Sequence, residues 1–319
     1  MKRAKRIVAW SFATTVILLL VALAGSSFYM LDFALTPLHR TDDEVLQRLA
    51  DRVPPDVMCW VDSVRRTGAL RDTIVDIDGV AAHAWWMPAP SDTIATALLV
   101  HGYNDGALSM MHIACLYHRD LHLNVLMPDL PAHGRTPGDH IDMGWGADRD
   151  HARRWIAVAD AMFRGDSVTT RMVLHGISMG ASIVMNLGGE QLPPCVRVIV
   201  EDCGYTSAWD EFSCQLHDMF GLPEFPLLYT TSALCKARYG WSFGEASSLK
   251  QVEQCRLPML FIHGDNDDFV PTPMVHQLHT AHPGSKQLWL APGSQHACAY
   301  SDHPDEYTRQ VSQFLSSIL

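Results

Sequence analysis

The sequence predicts an α/β fold with a mostly parallel sheet and helices on both faces. Apolar runs with the length of strands alternate with helical stretches over residues 73–319. No internal repeat or low-complexity tract interrupts this alternation. The 319 residues, 48% of them hydrophobic, suit one domain with a sizeable core. We therefore expect a single α/β domain with an N-terminal appendage.

A pentapeptide between a predicted strand and a predicted helix is the most informative local feature. It is Gly-Ile-Ser-Met-Gly at residues 176–180. In a turn of this pattern the serine oxygen stands clear, and a side chain at either glycine would collide with the neighbouring strand or helix. Ser178 is therefore predicted to be a nucleophile. A buried Gly/Ser turn without a chemical role is the alternative that the motif alone leaves open.

An acid and a base for this nucleophile follow in the chain order Ser, Asp, His. The apolar run at residues 257–262 reads as a strand and leads into a loop that contains Asp267. The next strand, residues 287–290, leads into the loop that contains His296. We expect His296 to take and return the proton of Ser178, and Asp267 to fix the imidazole tautomer and stabilise the imidazolium.

Two backbone amides are predicted to form an oxyanion hole. Tyr103 follows a predicted strand at residues 96–100, and Met179 begins the helix after the serine. Donors aimed at developing negative charge can each lower the barrier by about 3–4 kcal/mol. These positions complete the parts that acyl transfer requires.

The motifs together resemble the α/β-hydrolase superfamily. They are His-Gly-Tyr at 101–103, Asp-Leu-Pro-Ala-His-Gly at 129–134, the serine pentapeptide, His-Gly-x-x-Asp-x-x-Val-Pro at 263–271, and Gly-x-x-His at 293–296. The chain is similar to membrane-associated bacterial hydrolases of the serine aminopeptidase and monoacylglycerol lipase group. This resemblance implies an α/β-hydrolase fold with an eight-stranded sheet and a small helical cap. Ala132 departs from the glycine usual in that family, which affects a loop turn and leaves the triad intact.

The segment between serine and acid is the predicted cap. Residues 205–254 are apolar and helical in pattern, with Trp209, Phe212 and Phe220 among them. About 50 residues exceed one crossover of about 10–15 residues. A cap that roofs an acyl pocket is therefore favoured over an ordinary crossover helix packed on the sheet.

The N-terminus predicts a membrane anchor. Lys2, Arg3, Lys5 and Arg6 precede an uncharged run at residues 7–31. As a helix this run spans about 37 Å at about 1.5 Å per residue, enough to cross a hydrocarbon core. The basic flank would stay in the cytoplasm and place the catalytic domain outside it, on the periplasmic or extracellular side. A signal peptide cleaved after Ala24, giving a secreted protein, is the alternative.

We expect three parts in the chain: residues 1–31 as the anchor or signal peptide, 32–71 as a helical lead-in, and 72–319 as the hydrolase domain with the cap inserted at about 205–254. The four basic residues before position 7 are 4 of the 24 in the chain, so residues 32–319 carry 20 basic and 35 acidic residues, a net charge of about −15. This acidic body disfavours nucleic acid as a partner.

Several other polar residues are better interpreted as structural than as catalytic or metal-binding. Asp202 also follows a strand and is the alternative acid, but Asp267 fits the motif better. Asp265 and Asp268 are expected to cap a helix near residue 271. His276, His279 and His282 recur every three residues, a spacing that drifts around a helix, so no metal site is predicted. The eight cysteines include no Cys-x-x-Cys pair, and their pairing stays open.

The predicted function is a serine hydrolase that cleaves a carboxylic ester, thioester or amide through an acyl-enzyme, without cofactor or metal. Its expected partners are a small-molecule ester or acyl substrate and a membrane. A short-peptide serine aminopeptidase is the alternative enzyme. A catalytically inactive, hydrolase-like binding protein is the alternative from another class, and the complete set of Ser178, Asp267 and His296 argues against it.

Overall fold

One eight-stranded sheet organises the protein in the computed structural model, which describes residues 2–319. The strands are β1 (Arg71–Ile77), β2 (Val80–Met87), β3 (Ala95–Val100), β4 (Asn124–Pro128), β5 (Arg171–Ile177), β6 (Val196–Asp202), β7 (Met259–Gly264) and β8 (Lys286–Ala291). They lie in the order β1-β2-β4-β3-β5-β6-β7-β8. Only β2 pairs antiparallel, with β1 and with β4, and the other pairs are parallel. The predicted eight-stranded, mostly parallel sheet is confirmed.

Helices cover both faces of the sheet, as predicted. Within the described residues they are α1 (Lys2–Leu35), α2 (Asp42–Ala50), α3 (Pro55–Arg66), α4 (Met111–Ala114), α5 (Gly146–Phe163), α6 (Met179–Gly188), α7 (Ala208–Phe220), α8 (Leu227–Tyr239), α9 (Ser248–Val252), α10 (Pro273–Ala281), α11 (Ala299–Asp302) and α12 (Pro304–Leu315). A 3₁₀ turn at Ala107–Met110 and a π-helical turn at Cys115–Asp120 flank α4.

The core consists of two layers, one on each face. In β3, Leu98 and Val100 belong to the layer that contains side chains of α5, α6 and α10. Ala97 and Leu99 belong to the other layer, with α2, α3, α4 and α12. This division follows from the alternation of side chains along a strand. A strand buried on both faces is apolar along its whole length, which is why the central strands read as continuous apolar runs.

Helix α1 is a single helix with two different environments. Within its residues 5–35, an 18-residue window has a mean hydropathy of 2.4, and by length and composition alone the helix could cross a membrane, a test that a signal sequence also passes. Side chains such as Trp10 and Leu20 are exposed, whereas Leu31 and Leu35 are buried. The predicted boundary at residue 31 therefore lies inside α1, and the division of the chain into domains stays a prediction.

The end of α1 packs against the cap. Helices α7, α8 and α9 occupy the predicted cap segment. The hydroxyls of Ser27 in α1 and Thr230 in α8 lie 2.7 Å apart. Asp32 and Arg238 form an ion pair at 2.9 Å. The cap thus includes the last turns of α1 beside the inserted helices, an arrangement that the sequence analysis did not predict.

Candidate active site

Ser178 occupies a sharp turn between β5 and α6. Its backbone angles, φ 57° and ψ −116°, are ones that side-chain-bearing residues rarely adopt. A Cβ on Gly176 would lie 2.0 Å from the carbonyl oxygen of Gly180, and a Cβ on Gly180 would lie 2.0 Å from that of Val100. Both flanking positions therefore require glycine, for the steric reason on which the prediction was based.

The structure brings the three predicted catalytic side chains into one hydrogen-bonded chain. His296 Nε2 lies 2.9 Å from Ser178 Oγ, and His296 Nδ1 lies 2.8 Å from Asp267 Oδ2. The other carboxylate oxygen, Oδ1, accepts the backbone amides of Phe269 at 3.1 Å and Val270 at 2.9 Å. These residues come from the loops after β5, β7 and β8, whose carboxyl ends share one edge of the sheet.

Electrostatics keep Asp267 ionised. Burial would raise the pKa of its carboxyl, but hydrogen bonds from His263 and His296 outweigh burial and lower the pKa to about 2. Asp267 is therefore a carboxylate at neutral pH and acts only as an acceptor. A proton on His296 Nδ1 is then favoured, which leaves Nε2 free to accept the proton of Ser178.

Asp202, the alternative acid, is engaged elsewhere. Its Oδ2 accepts the hydroxyl of Tyr307 at 2.8 Å, and burial raises the pKa of its carboxyl to about 6. Its backbone carbonyl accepts the amide of Ser178 at 2.8 Å. Asp202 thus supports the serine turn through its backbone, while the partner of His296 Nδ1 is Asp267.

The two predicted oxyanion positions flank Ser178. Met179 is the first residue of α6, where backbone amides have no carbonyl within the helix to bond. Tyr103 follows β3, next to Gly102, on which a Cβ would lie 3.5 Å from Ser178 Cβ. His101 holds this loop: its Nδ1 donates to the Gly102 carbonyl at 2.8 Å, and its Nε2 accepts the Leu130 amide at 3.1 Å. Burial lowers the pKa of His101, which keeps the ring neutral in this role.

Asp265 and Asp268 do not have the helix-capping role that the sequence predicted. Asp265 accepts the backbone amide of Gly293 and so links the loop that carries Asp267 to the loop that carries His296. Asp268 is exposed. Helix α10 begins at Pro273 without a side-chain cap, so the predicted capping by Asp265 and Asp268 is wrong. The loop amides of Phe269 and Val270 bond to Asp267 instead.

Ala132 takes a backbone conformation that suits glycine. Its φ is 62°, in the left-handed region that residues with a Cβ rarely adopt. Its amide donates to the carbonyl of Pro137 at 3.3 Å and closes the turn. The departure from the family's usual glycine is therefore a local strain in this loop.

One cluster in the described residues has the donor atoms of a metal site: Cys203, Asp267 and His296, with ligand atoms within 4.8 Å of one another. The imidazole and the carboxylate already share a hydrogen bond. Burial raises the pKa of the Cys203 thiol well above its usual value, and metals bind the thiolate. These donors therefore suit a triad better than a metal.

Of the three histidines at 276, 279 and 282, His282 is engaged within the protein, because its Nε2 donates to the Leu257 carbonyl at 3.0 Å.

Two pockets meet at Ser178. The first is an apolar cavity of about 390 Å³ under the cap. Phe212 and Phe220 of α7 line it, as the predicted roof requires, whereas Phe225 lies outside it and is exposed. Met30 and Phe33 of α1 form another part of its wall. The second pocket, of about 400 Å³, lies on the side of His296.

Glu211 is a functional candidate that the sequence analysis missed. It lies on α7, lines the apolar pocket and is only 3% exposed. One carboxyl oxygen accepts the side-chain amide of Gln215 at 3.2 Å, and the other has no partner among the described residues. Burial raises the pKa of Glu211 to about 8. No local pattern distinguishes this glutamate from a surface one, so only the packing of α7 identifies it.

Glu211→Gln should flatten the pH dependence of stability. The folded protein holds this proton up to about pH 8, whereas the same glutamate in the unfolded chain releases it near its ordinary pKa of 4.5. Wild-type stability should therefore fall between these pH values, and the neutral amide removes that part of the fall. The measurement is the Tm between pH 5 and pH 9 in non-ionic detergent, with the exposed Glu253→Gln as control. Parallel wild-type and Glu211→Gln profiles would contradict a buried, protonated Glu211.

Comparisons with known proteins agree with this architecture. The chain is 25% identical over 279 residues to the uncharacterized protein YqkD of Bacillus subtilis, covering 88% of each chain. It is 26% identical over 227 residues to the uncharacterized protein Rv2307c of Mycobacterium tuberculosis, covering 71% of this chain and 72% of that protein.

Solved structures show the same fold. The esterase Pf2001 of Pyrococcus furiosus superposes with a TM-score of 0.63 at 20% identity, covering 78% of this chain and 91% of the esterase. An acylaminoacyl peptidase of Pyrococcus horikoshii superposes with a TM-score of 0.60 at 11% identity, covering 78% of this chain and 42% of the peptidase. The family model of the alpha/beta hydrolase family matches residues 97–310, from β3 into α12. The chain therefore belongs to the α/β-hydrolase family.

Proposed function

We propose that the protein is a serine hydrolase that cleaves carboxylic ester bonds, or the related thioester or amide bonds, through a covalent acyl-enzyme. The observation that carries this proposal is the hydrogen-bonded chain from Ser178 through His296 to Asp267. The serine stands on a strained turn at the junction of two pockets. A binding protein would have no need for this geometry.

The residues supply each step of acyl transfer. Ser178 Oγ attacks the substrate carbonyl carbon while its proton passes to His296 Nε2, and the amides of Tyr103 and Met179 receive the oxyanion. When the carbonyl–oxygen bond breaks, His296 gives this proton to the leaving oxygen. Water then repeats the sequence on the acyl-serine and releases the acid. Asp267 stays ionised and stabilises the imidazolium throughout.

The apolar pocket favours an ester with a hydrophobic acyl part. Phe212, Phe220 and Phe33 line it, and the buried Glu211 is one of its polar lining residues. A protonated Glu211 can donate a hydrogen bond without placing a charge in the pocket. The esterase and the peptidase of similar fold are both compatible with acyl transfer, and the apolar lining favours an acyl chain over a polar peptide.

Replacement of the nucleophile tests the proposal. Ser178→Ala should lower turnover of aryl esters by about 10⁴–10⁶-fold and abolish labelling by a fluorophosphonate. The Tm should change little, because alanine removes one half-buried oxygen, whose hydrogen bond goes to His296, from the turn. Aryl esters and aminoacyl anilides, compared on the wild-type enzyme, separate esterase from peptidase. More than a few per cent residual activity in the purified alanine variant would refute the assignment of Ser178.

Replacement of the acid tests the triad. Asp267→Asn keeps the shape of the side chain but favours the wrong imidazole tautomer, so kcat should fall by up to about 10⁴-fold. Asp268→Asn, an exposed carboxylate on the same loop, is the matched control and should retain most of the activity. Asp202→Asn should act mainly on stability, since its carboxyl bonds to Tyr307. A larger loss of kcat in Asp202→Asn than in Asp267→Asn would identify Asp202, at the end of β6, as the acid of the triad instead.

We also propose that α1 anchors the protein in a membrane with the catalytic domain outside the cytoplasm. The support is its apolar, exposed surface before Ser27 and the basic residues at its start. The wild-type protein should stay with membranes after an alkaline carbonate wash, and a protease added outside spheroplasts should reach the domain. Soluble protein with Gly25 at its N-terminus would instead indicate signal cleavage, which would leave the packed end of α1 in place.

A further inference from the structure

The second pocket at Ser178 differs from the first in its charge. Arg48, on the last turn of α2, and Arg52, just after that helix, line it together with Ser178 and His296. Both arginines are exposed to solvent at this pocket. The apolar pocket on the other side of the serine has no arginine or lysine among its described lining residues. The nucleophile therefore lies between an apolar and a cationic compartment.

Neither of the two arginines forms an ion pair with another described residue. Among residues 2–319, neither Arg48 nor Arg52 has a carboxylate oxygen within 4.0 Å, whereas Arg119 lies 3.0 Å from Asp56. Two neighbouring arginines without an ion-pair partner are unusual in this protein, because residues 32–319 carry a net charge of about −15.

The other titratable groups of this pocket offset only part of its positive charge. Asp105 is the one carboxyl among its described lining residues, so it offsets at most one of the two guanidinium charges. His112 donates from Nδ1 to the Ser109 carbonyl, and burial lowers its pKa to about 4, so it is neutral near pH 7. The pocket thus keeps a net positive charge at neutral pH.

The position of His296 decides which part of a substrate enters each pocket. The leaving oxygen takes its proton from His296, so the leaving group must lie on the side of that ring. Of the residues described, His296 lines the arginine-bearing pocket and not the apolar one. The acyl chain therefore belongs in the apolar pocket and the leaving group in the cationic one.

We infer that the enzyme prefers amphiphilic esters whose leaving alcohol carries an anionic group, a carboxylate or a phosphate, and that Arg48 and Arg52 determine this specificity. The inference rests on the proposed serine-hydrolase function and adds a substrate class to it. The guanidinium groups bind the anion through charge-assisted hydrogen bonds, a role for which arginine is well suited. They take no part in bond making or breaking.

Two esters that differ by one carboxylate test the inference. The neutral one is the octanoate ester of ortho-nitrophenol, and the anionic one carries an additional carboxylate on the ring, meta to the ester oxygen. The full-length protein in non-ionic detergent should show a higher kcat/KM for the anionic ester. Arg48→Gln and Arg52→Gln should each lower kcat/KM for that ester by about fivefold, mainly through KM, and lower kcat/KM for the neutral ester less. Raising the salt concentration should lower the ratio of kcat/KM for the anionic ester to kcat/KM for the neutral one, because salt screens the attraction between the arginines and the carboxylate.

Arg66→Gln is the matched control, because it removes the same charge from an exposed position on α3. It should leave kcat/KM unchanged for both esters. Equal rates for the two esters in the wild type, or equal losses for both in the arginine variants, would overturn the inference while leaving the hydrolase function intact. Absence of fluorophosphonate labelling at Ser178, with neither ester cleaved, would instead overturn the proposed function and the inference with it.

Discussion

The close approach of backbone around Ser178 is the constraint on which the site depends. Strand β3, strand β5 and helix α6 meet so tightly that Gly180 has room for no side chain beside the carbonyl of Val100. The same contact places the loop after β3, with Tyr103, against the serine. A hydrogen bond from the Ser178 amide to Asp202 ties the turn to β6. The strain of the turn is thus supported from both neighbouring strands.

Strand order then decides which loops can reach the serine. β7 and β8 are neighbours, so the loops with Asp267 and His296 emerge side by side. The Asp265 carboxylate bonds across them to the Gly293 amide, and a Cβ on Gly264 would lie 2.2 Å from the carbonyl of Ser294. This contact makes the two loops one unit. The acid and the base therefore face the serine in a fixed orientation.

Helix α1 links the exposed apolar N-terminal segment to the pocket beside Ser178. Its exposed apolar part is suited to a membrane, and its end supplies Met30 and Phe33 to the wall of the apolar pocket. The hydroxyl of Tyr103, next to the proposed oxyanion position, donates to the Ala34 carbonyl at 2.8 Å. One helix thus runs from the exposed apolar segment to the apolar pocket and to the loop after β3.

The sequence by itself determined the features that depend on local pattern. Apolar runs gave the strands, glycine spacing gave the turn at Ser178, and loop motifs identified Asp267 and His296 as its partners, because each of these needs only near neighbours in the chain. Tertiary structure decided the rest. Glu211 became a buried carboxyl, α1 a pocket wall, and Arg48 and Arg52 the lining of a second pocket, because their roles arise from contacts between segments far apart in sequence. The use of Asp265 to join two loops rather than to cap α10 has the same origin.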